Sequence, residues 1–288
     1  MQSLQAWALP WLQQRGVESP RLDGDLLLAD ALGVERLALF LDPKRPVAGE
    51  ELARFKSHLQ RRARREPVAY ILGRRGFWKH EFVVTPAVLI PRPETELLLE
   101  TLLAHFPPAQ QDSPLTLLEL GVGSGALLCA ALLAYPEATG VGVDISAAAL
   151  AVAEENGRKL GCRERMTLVQ GDLLQPLQLA SPNDRFHAIL SNPPYVRTSE
   201  WEQLEPEIHR WEPRQALDGG ADGLAALRRI PSEARPFLAE GGLLAVEIGV
   251  NQEEAVMALF EAAGLQGVEL RLDYSRQPRV VSGRAGSG

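Results

Sequence analysis

At 288 residues the chain has room for one large α/β domain, a smaller companion and an ample buried core. Its 45% hydrophobic and 23% charged residues exclude disordered and fibrous classes. The formal net charge of −7 is unevenly spread, with +5 on residues 1–80 and −12 on residues 81–288, an acidic balance that disfavours a phosphate backbone as ligand of the second part. The longest apolar run, Ala126 to Tyr135, is too short for a membrane span, and Met1 to Pro10 lacks the basic start and core of a signal segment. A soluble, cytoplasmic protein is expected. Cys129, Cys162 and the five histidines lack metal-ligand spacing, so neither zinc nor a disulfide is predicted.

In chain order, residues 1–72 read as a bundle of short helices, with Leu4, Trp7, Ala8 and Trp11, then Leu52, Phe55 and Leu59, recurring at helical spacing. A helix over about 49–65 ends in Arg61, Arg62, Arg64 and Arg65, either a solvated face or a partner-binding patch. Residues 73–92 read as a linking β-hairpin built from Phe82–Val84 and Val88–Ile90 around Pro86. Pro93 then suits the first turn of a helix bearing Glu94 and Glu96 near its positive end.

From Leu115 onward, apolar strands alternate with helical patterns, which predicts an α/β fold with a doubly wound, mostly parallel sheet over 93–288. Strands are expected at 115–120, 139–143, 166–169, 186–190 and 243–248, with a closing antiparallel pair at 268–272 and 279–281. Helices are expected at 126–135, 147–160, 224–238 and 252–263. In such sheets ligands sit at the carboxyl ends of the strands, where strand order reverses.

The first strand end carries Gly121, Val122, Gly123, Ser124 and Gly125, running directly into a helix. Taken alone this is a plain strand-to-helix turn. The second strand ends at Asp144, placed where a carboxylate accepts both ribose hydroxyls of an adenine nucleoside. Gly-x-Gly-x-Gly departs from the dinucleotide spacing, which favours an adenosyl ligand without pyrophosphate. The third strand ends in Gly171, Asp172 and Leu173, where Asp172 reaches the adenine amine and Leu173 covers its face, or Asp172 is simply an exposed loop residue.

The fourth strand ends in Ser191, Asn192, Pro193, Pro194 and Tyr195. Consecutive prolines fix the backbone and remove two amide donors, so carbonyls are presented as acceptors beside the Asn192 side-chain oxygen. Together they can hold an NH2 group through both hydrogens and aim its lone pair, with Tyr195 stacked on the planar group.

The glycine loop, Asp144 and Asn-Pro-Pro-Tyr together resemble class I S-adenosylmethionine methyltransferases that modify NH2 nitrogens. Residues 82–96 and 212–224 are similar to the corresponding segments of the PrmC/HemK family, a resemblance that extends over nearly the whole chain. Membership implies a helical substrate-recognition domain, an S-adenosylmethionine-binding domain, and methylation of the Gly-Gly-Gln glutamine of class I peptide chain release factors as protein partners. It further implies that Gly121–Gly125, Asp144 and Leu173 bind cofactor, that Asn192 touches cofactor and substrate, and that Pro193, Pro194 and Tyr195 bind the glutamine. Val122, Ser124 and Leu173 stand where members often carry threonines and an aromatic. Pro91-Arg92-Pro93-Glu94 differs from the Pro-Arg-Ser-Pro of the sibling that modifies a ribosomal protein.

Two other classes fit parts of this pattern. An adenine N6 methyltransferase of DNA or RNA explains Asn192 to Tyr195 equally well, but it should bring a basic recognition domain. A non-catalytic nucleoside- or RNA-binding module should show damage at the glycine loop, Asp144 or Asn192, and all are intact. A monomer that holds no nucleic acid stably is expected.

Overall fold

The computed structural model describes residues 1–110, 113–178 and 185–286, so residues 111–112, 179–184 and 287–288 of the expected catalytic segment lie outside it. The chain divides into two compact units, Met1–Arg74 with Glu205–Trp211, and Arg75–Leu204 with Glu212–Gly288.

The first unit contains α1 (Gln2–Gln13), α2 (Pro20–Leu32), α3 (Ala38–Leu41), α4 (Gly49–Ala63) and α5 (Val68–Leu72). Pro20 opens α2 and Gly33 closes it in the left-handed region at φ 64°. Leu12, Leu27, Leu28, Phe55 and Leu59 are buried between the helices. Of the aromatic pair read as helical, Trp7 stays 48% exposed and stacks on Trp11 at 5.8 Å.

Three of the four arginines at the end of α4 are held in ion pairs, while Arg64 is exposed to solvent. Arg61 pairs with Glu66 at 2.5 Å, Arg62 with Asp23 and Glu207 at 2.7 Å each, and Arg65 with Glu207 at 2.6 Å. Arg62 and Asp23 are buried, and Glu207 belongs to the later segment that joins this unit. The reason lies in the amphipathic geometry of α4, whose last turn turns Arg62 inward beside Leu59, where only paired charge is tolerated.

In the second unit the hairpin falls earlier than the sequence suggests: its strands are β1 (Arg74–Phe77) and β2 (His80–Val83), while Val88–Ile90 forms no strand. Trp78 turns the chain at φ 54°, and Phe77 meets Phe82 edge-to-face at 6.1 Å. The prolines at 86, 91 and 93 supply no amide donors, and the one at Ile90 is taken by Glu212 at 3.1 Å rather than by a strand.

Strands β3 (Thr116–Leu120), β4 (Thr139–Asp144), β5 (Met166–Gln170), β6 (Phe186–Ser191), β7 (Leu238–Glu247), β8 (Leu265–Leu272) and β9 (Pro278–Ala285) form a sheet of order 5-4-3-6-7-9-8. The first five in that order run parallel, and β9 pairs antiparallel with both β7 and β8. Helices α6 (Glu96–His105), α7 (Ala126–Ala134) and α8 (Ala147–Lys159) accompany one apolar layer, and α9 (Ala225–Ala234) and α10 (Glu253–Ala262) the other. Alternation along β3 explains the two layers: Leu117 enters the first and Leu118 and Leu120 the second. Strand order reverses between β3 and β6, which directs attention to their carboxyl ends.

Arg62→Ala leaves Asp23 buried without its counter-ion and should lower the stability of the helical unit by about 3–5 kcal/mol. Adding Asp23→Asn, which removes the orphaned charge, should recover part of the loss. Urea unfolding followed by tryptophan fluorescence checks both, and a loss below about 1 kcal/mol contradicts the buried-pair account.

Candidate active site

Gly121, Gly123 and Gly125 all lie at positive φ, 72°, 53° and 76°, a path that side chains bearing Cβ rarely follow. The end of β4 fastens this loop. Gly121 and Val122 donate their amides to the Val143 carbonyl at 2.8 and 3.0 Å, and Gly123 donates to Asp144 Oδ2 at 2.9 Å. Asp144 Oδ1 accepts from the Ser146 amide at 2.9 Å. Burial raises the Asp144 carboxyl above its ordinary range, and the Ser146 and Gly123 amides pull it back. Each oxygen keeps a second lone pair for a ligand.

Glu119, two residues before the loop, is wholly buried and accepts the Leu128 amide from the first turn of α7 at 2.8 Å. Burial pushes its carboxyl well above the usual range, Leu128 opposes this, and the Asp144 charge adds to it. Ser124 is buried too, its carbonyl accepting from Asn156 Nδ2 at 2.9 Å. Asn156 also exchanges two hydrogen bonds with the Val83 backbone, at 2.7 and 2.9 Å, and so ties the hairpin to the glycine loop.

Above these strand ends lies a cavity of about 390 Å³, within the roughly 300–1,000 Å³ usual for small-molecule sites. Gly121, Val122, Gly123 and Ser124 line it, as do Asp144, Asp172, Leu173, Asn192 and Pro194. Gly125, Pro193 and Tyr195 stand outside the lining. Four carboxylates reach the wall, Glu119, Asp144, Asp172 and Asp218, against two guanidiniums. Both guanidiniums are committed: Arg92 to Glu212 at 2.5 Å, and Arg229 to Asp172 at 2.8 Å and Glu233 at 2.7 Å. The same pairing neutralises Asp172, and Arg214 holds Asp218 at 2.9 Å, so among the described residues Glu119 and Asp144 are the wall carboxylates without an ion pair, a balance that suits a cationic, phosphate-free ligand better than a pyrophosphate. Leu173 stands on this wall at φ 50°, unusual for a residue other than glycine.

The Asn-Pro-Pro-Tyr turn leaves β6 beside the same cavity. Ser191 anchors it from below, donating its hydroxyl to the Leu120 carbonyl at 2.8 Å. Asn192 Nδ2 donates to Thr95 Oγ1 at 2.9 Å, and Thr95 in turn donates to Glu247 Oε2 at 2.6 Å. Glu247, 1% exposed, receives a second hydroxyl from Tyr195 at 3.1 Å. Burial raises the Glu247 carboxyl, while Thr95, the Arg279 charge and Tyr195 lower it. The Tyr195 phenol is itself pushed up by burial and by Glu247, so it remains a donor.

Gly219 and Gly223 lie backbone-to-backbone on this turn. A Cβ at Gly219 would sit 2.7 Å from the Pro194 carbonyl oxygen, and one at Gly223 2.4 Å from that of Tyr195. Two backbone bonds anchor Val196 on this segment, its own N–H to the Leu217 carbonyl at 2.9 Å and the Gly219 N–H to its carbonyl at 2.8 Å. The Tyr195 carbonyl also accepts from Gln252 Nε2 at 3.0 Å. The structure thus brings the loop, Asp144, Asp172, Leu173, Asn192 and Pro194 to one cavity and sets Tyr195 behind it as a brace. Sequence reasoning passed over Glu119, Thr95, Glu247 and Gln252. Polar residues adjoining the glycine loop, preceding α6 and ending β7 were visible, but only the fold places them together.

Comparison with known proteins agrees with this geometry. The family model described as PrmC N-terminal domain matches residues 3–73, and that described as Methyltransferase domain matches residues 117–212. A release factor glutamine methyltransferase of Caulobacter vibrioides is 45% identical over 97% of this chain and 95% of its own. One from Geobacter sulfurreducens is 42% identical over 97% and 95%. Among solved structures, a methyltransferase from Pyrococcus furiosus aligns with TM-score 0.50 at 16% identity, covering 74% of this chain and 88% of its own, a likeness of fold alone. With relatives so similar over nearly its full length, the chain belongs to the release factor glutamine methyltransferase family.

Proposed function

We propose that this enzyme transfers a methyl group from S-adenosylmethionine to the side-chain amide nitrogen, N5, of the glutamine in the Gly-Gly-Gln motif of class I peptide chain release factors. One observation carries the chemical part of this reading. Asn192 turns Nδ2 toward Thr95 and donates one of its two hydrogens there, which leaves Oδ1 as the acceptor end of that side chain for a ligand at the cavity wall.

The charge balance of the cavity wall fits a cationic adenosyl ligand. S-Adenosylmethionine supplies, when bound, a methyl group on a positively charged sulfur. The backbone of Gly121–Gly125 would hold it, with Asp144 accepting from the ribose. Asp172 and Leu173 are assigned to the adenine amine and face, Asp172 sharing its oxygens with Arg229.

The target nitrogen is a weak nucleophile because its lone pair is delocalised into the neighbouring carbonyl. Asn192 Oδ1 accepts one of its hydrogens, and a carbonyl of the Asn192–Pro194 turn accepts the other, which orients the lone pair. Pro193 keeps the turn rigid and Tyr195 braces it through Glu247. As positive charge develops on nitrogen, its hydrogens become stronger donors, so both acceptors act most in the transition state. The proton then leaves through those acceptors to water.

Residues 1–72 are assigned to recognition of the release factor, 73–92 to a link and 93–288 to cofactor binding and chemistry, acting in the cytoplasm as a monomer without stably bound nucleic acid. Among the described residues no helix is long and apolar enough to cross a membrane.

Labelled S-adenosylmethionine offered in parallel with a release factor, its loop Gln→Ala variant and duplex DNA should label the unaltered factor alone. Label in DNA, or equal label in the variant, contradicts the assignment. Asn192→Ala should slow single-turnover transfer by about 30- to 1,000-fold, corresponding to roughly 2–4 kcal/mol, while cofactor Kd measured by calorimetry moves less. A near-wild-type rate would remove Asn192 from the chemistry.

A further inference from the structure

A side-chain amide is nearly symmetric in shape and opposite in chemistry at its two ends, so a site that needs the oxygen must prevent the group from turning over. In this fold Asn192 is linked through Thr95, which also lines the cavity, to Glu247 and Tyr195. Glu247 Oε2 lies 2.6 Å from Thr95 Oγ1, the length typical of a hydroxyl donated to an ionised carboxylate. Glu247 Oε1 receives the Tyr195 hydroxyl at 3.1 Å. Both Glu247 oxygens thus accept hydroxyls, one from Thr95 and one from Tyr195, and although burial raises its carboxyl, these two donors and the Arg279 charge pull it back down.

Thr95 has a single hydroxyl proton, and that proton is committed to Glu247. Its oxygen can then only accept from Asn192, so the amide end that meets it, 2.9 Å away, must be Nδ2. The polarity of the chain runs one way, from Asn192 through Thr95 to Glu247. Thr95 is 8% exposed and Glu247 1%, so water does not readily substitute for either partner.

We propose that Thr95, backed by Glu247, is a positioning residue that locks the Asn192 amide with its oxygen toward the substrate. This rests on the methyl-transfer reading above and adds to it the device that makes Asn192 an acceptor. Thr95 acts through Asn192 and not on the reacting atoms.

The inference is tested with Thr95→Val, which keeps the shape and deletes the hydroxyl, with Thr95→Ser, which restores it, and with Thr95→Val combined with Asn192→Ala. Folding of each is checked by thermal melting. Thr95→Val should slow single-turnover methylation of a release factor about 5- to 100-fold, the range expected when a buried amide loses its partner. Thr95→Ser should recover the larger part, and cofactor Kd should change by less than about threefold. In the Asn192→Ala background Thr95→Val should cost nothing more, since its only route of action is gone. A second readout needs no substrate: the Nδ2 protons of 15N-labelled Asn192, assigned by their loss in Asn192→Ala, should exchange with water faster in Thr95→Val than in wild type or Thr95→Ser.

An undiminished rate in Thr95→Val, a Thr95→Ser variant equally slow, or a full additional penalty in the Asn192→Ala background would overturn the proposal. So would unchanged proton exchange. Absence of methylation by the wild-type enzyme would instead defeat the reading beneath it, while the exchange measurement still decides whether Thr95 holds Asn192.

Discussion

A carboxylate taken entirely out of water has to be met by donors, and at the carboxyl end of β7 that requirement falls on Glu247. Thr95 comes to it from the turn before α6, Tyr195 from the segment after β6, and Asn192 follows through Thr95. Three stretches distant in sequence are thereby pinned around one buried charge. Two further carboxylates act in the same way at neighbouring strands: Asp144 at the end of β4 binds the Gly123 and Ser146 amides, and Glu119 near the end of β3 binds Leu128. Of these three carboxylates, Asp144 and Glu119 also line the cavity.

Backbone proximity provides the second constraint. Gly219 and Gly223 approach the Pro194–Tyr195 backbone so closely that any Cβ would collide with it, and Glu212, just upstream, holds both the Ile90 amide and Arg92. The segments 90–95 and 212–224 therefore meet the Asn192 turn from two directions. Between Leu204 and Glu212 the chain enters the helical unit, where Glu207 is gripped by Arg62 and Arg65. The polypeptide that follows the Asn-Pro-Pro-Tyr turn is thus covalently continuous with a segment anchored among the helices of the first unit.

Most of the architecture was legible in the sequence because parallel strands buried on both faces read as unbroken apolar runs, and β3 through β7 fall where those runs lie. The glycine loop, Asp144 and Asn192 were legible for a related reason, since each occupies the end of such a run. The hairpin was misplaced because Val88 and Ile90 are apolar for burial, with Val88 and Leu89 on the cavity wall, and not for strand pairing. The arginines of α4 looked solvated because their partners, Asp23, Glu66 and above all Glu207, are set by tertiary structure. Tyr195 drew notice for its aromatic ring, and its hydroxyl bond to Glu247 is a contact that only the fold reveals. Thr95 and Glu247 gave no local signal at all, because a hydroxyl and a carboxylate gain meaning only from the 2.6 Å between them.

The decisive question is which atom receives the methyl group. Tandem mass spectrometry of a release factor incubated with this enzyme and S-adenosylmethionine decides it directly. One added methyl on the side-chain nitrogen of the Gly-Gly-Gln glutamine is the predicted result. A methyl on any other residue of the factor, or an unmodified glutamine after prolonged incubation with cofactor-saturated enzyme, would contradict it.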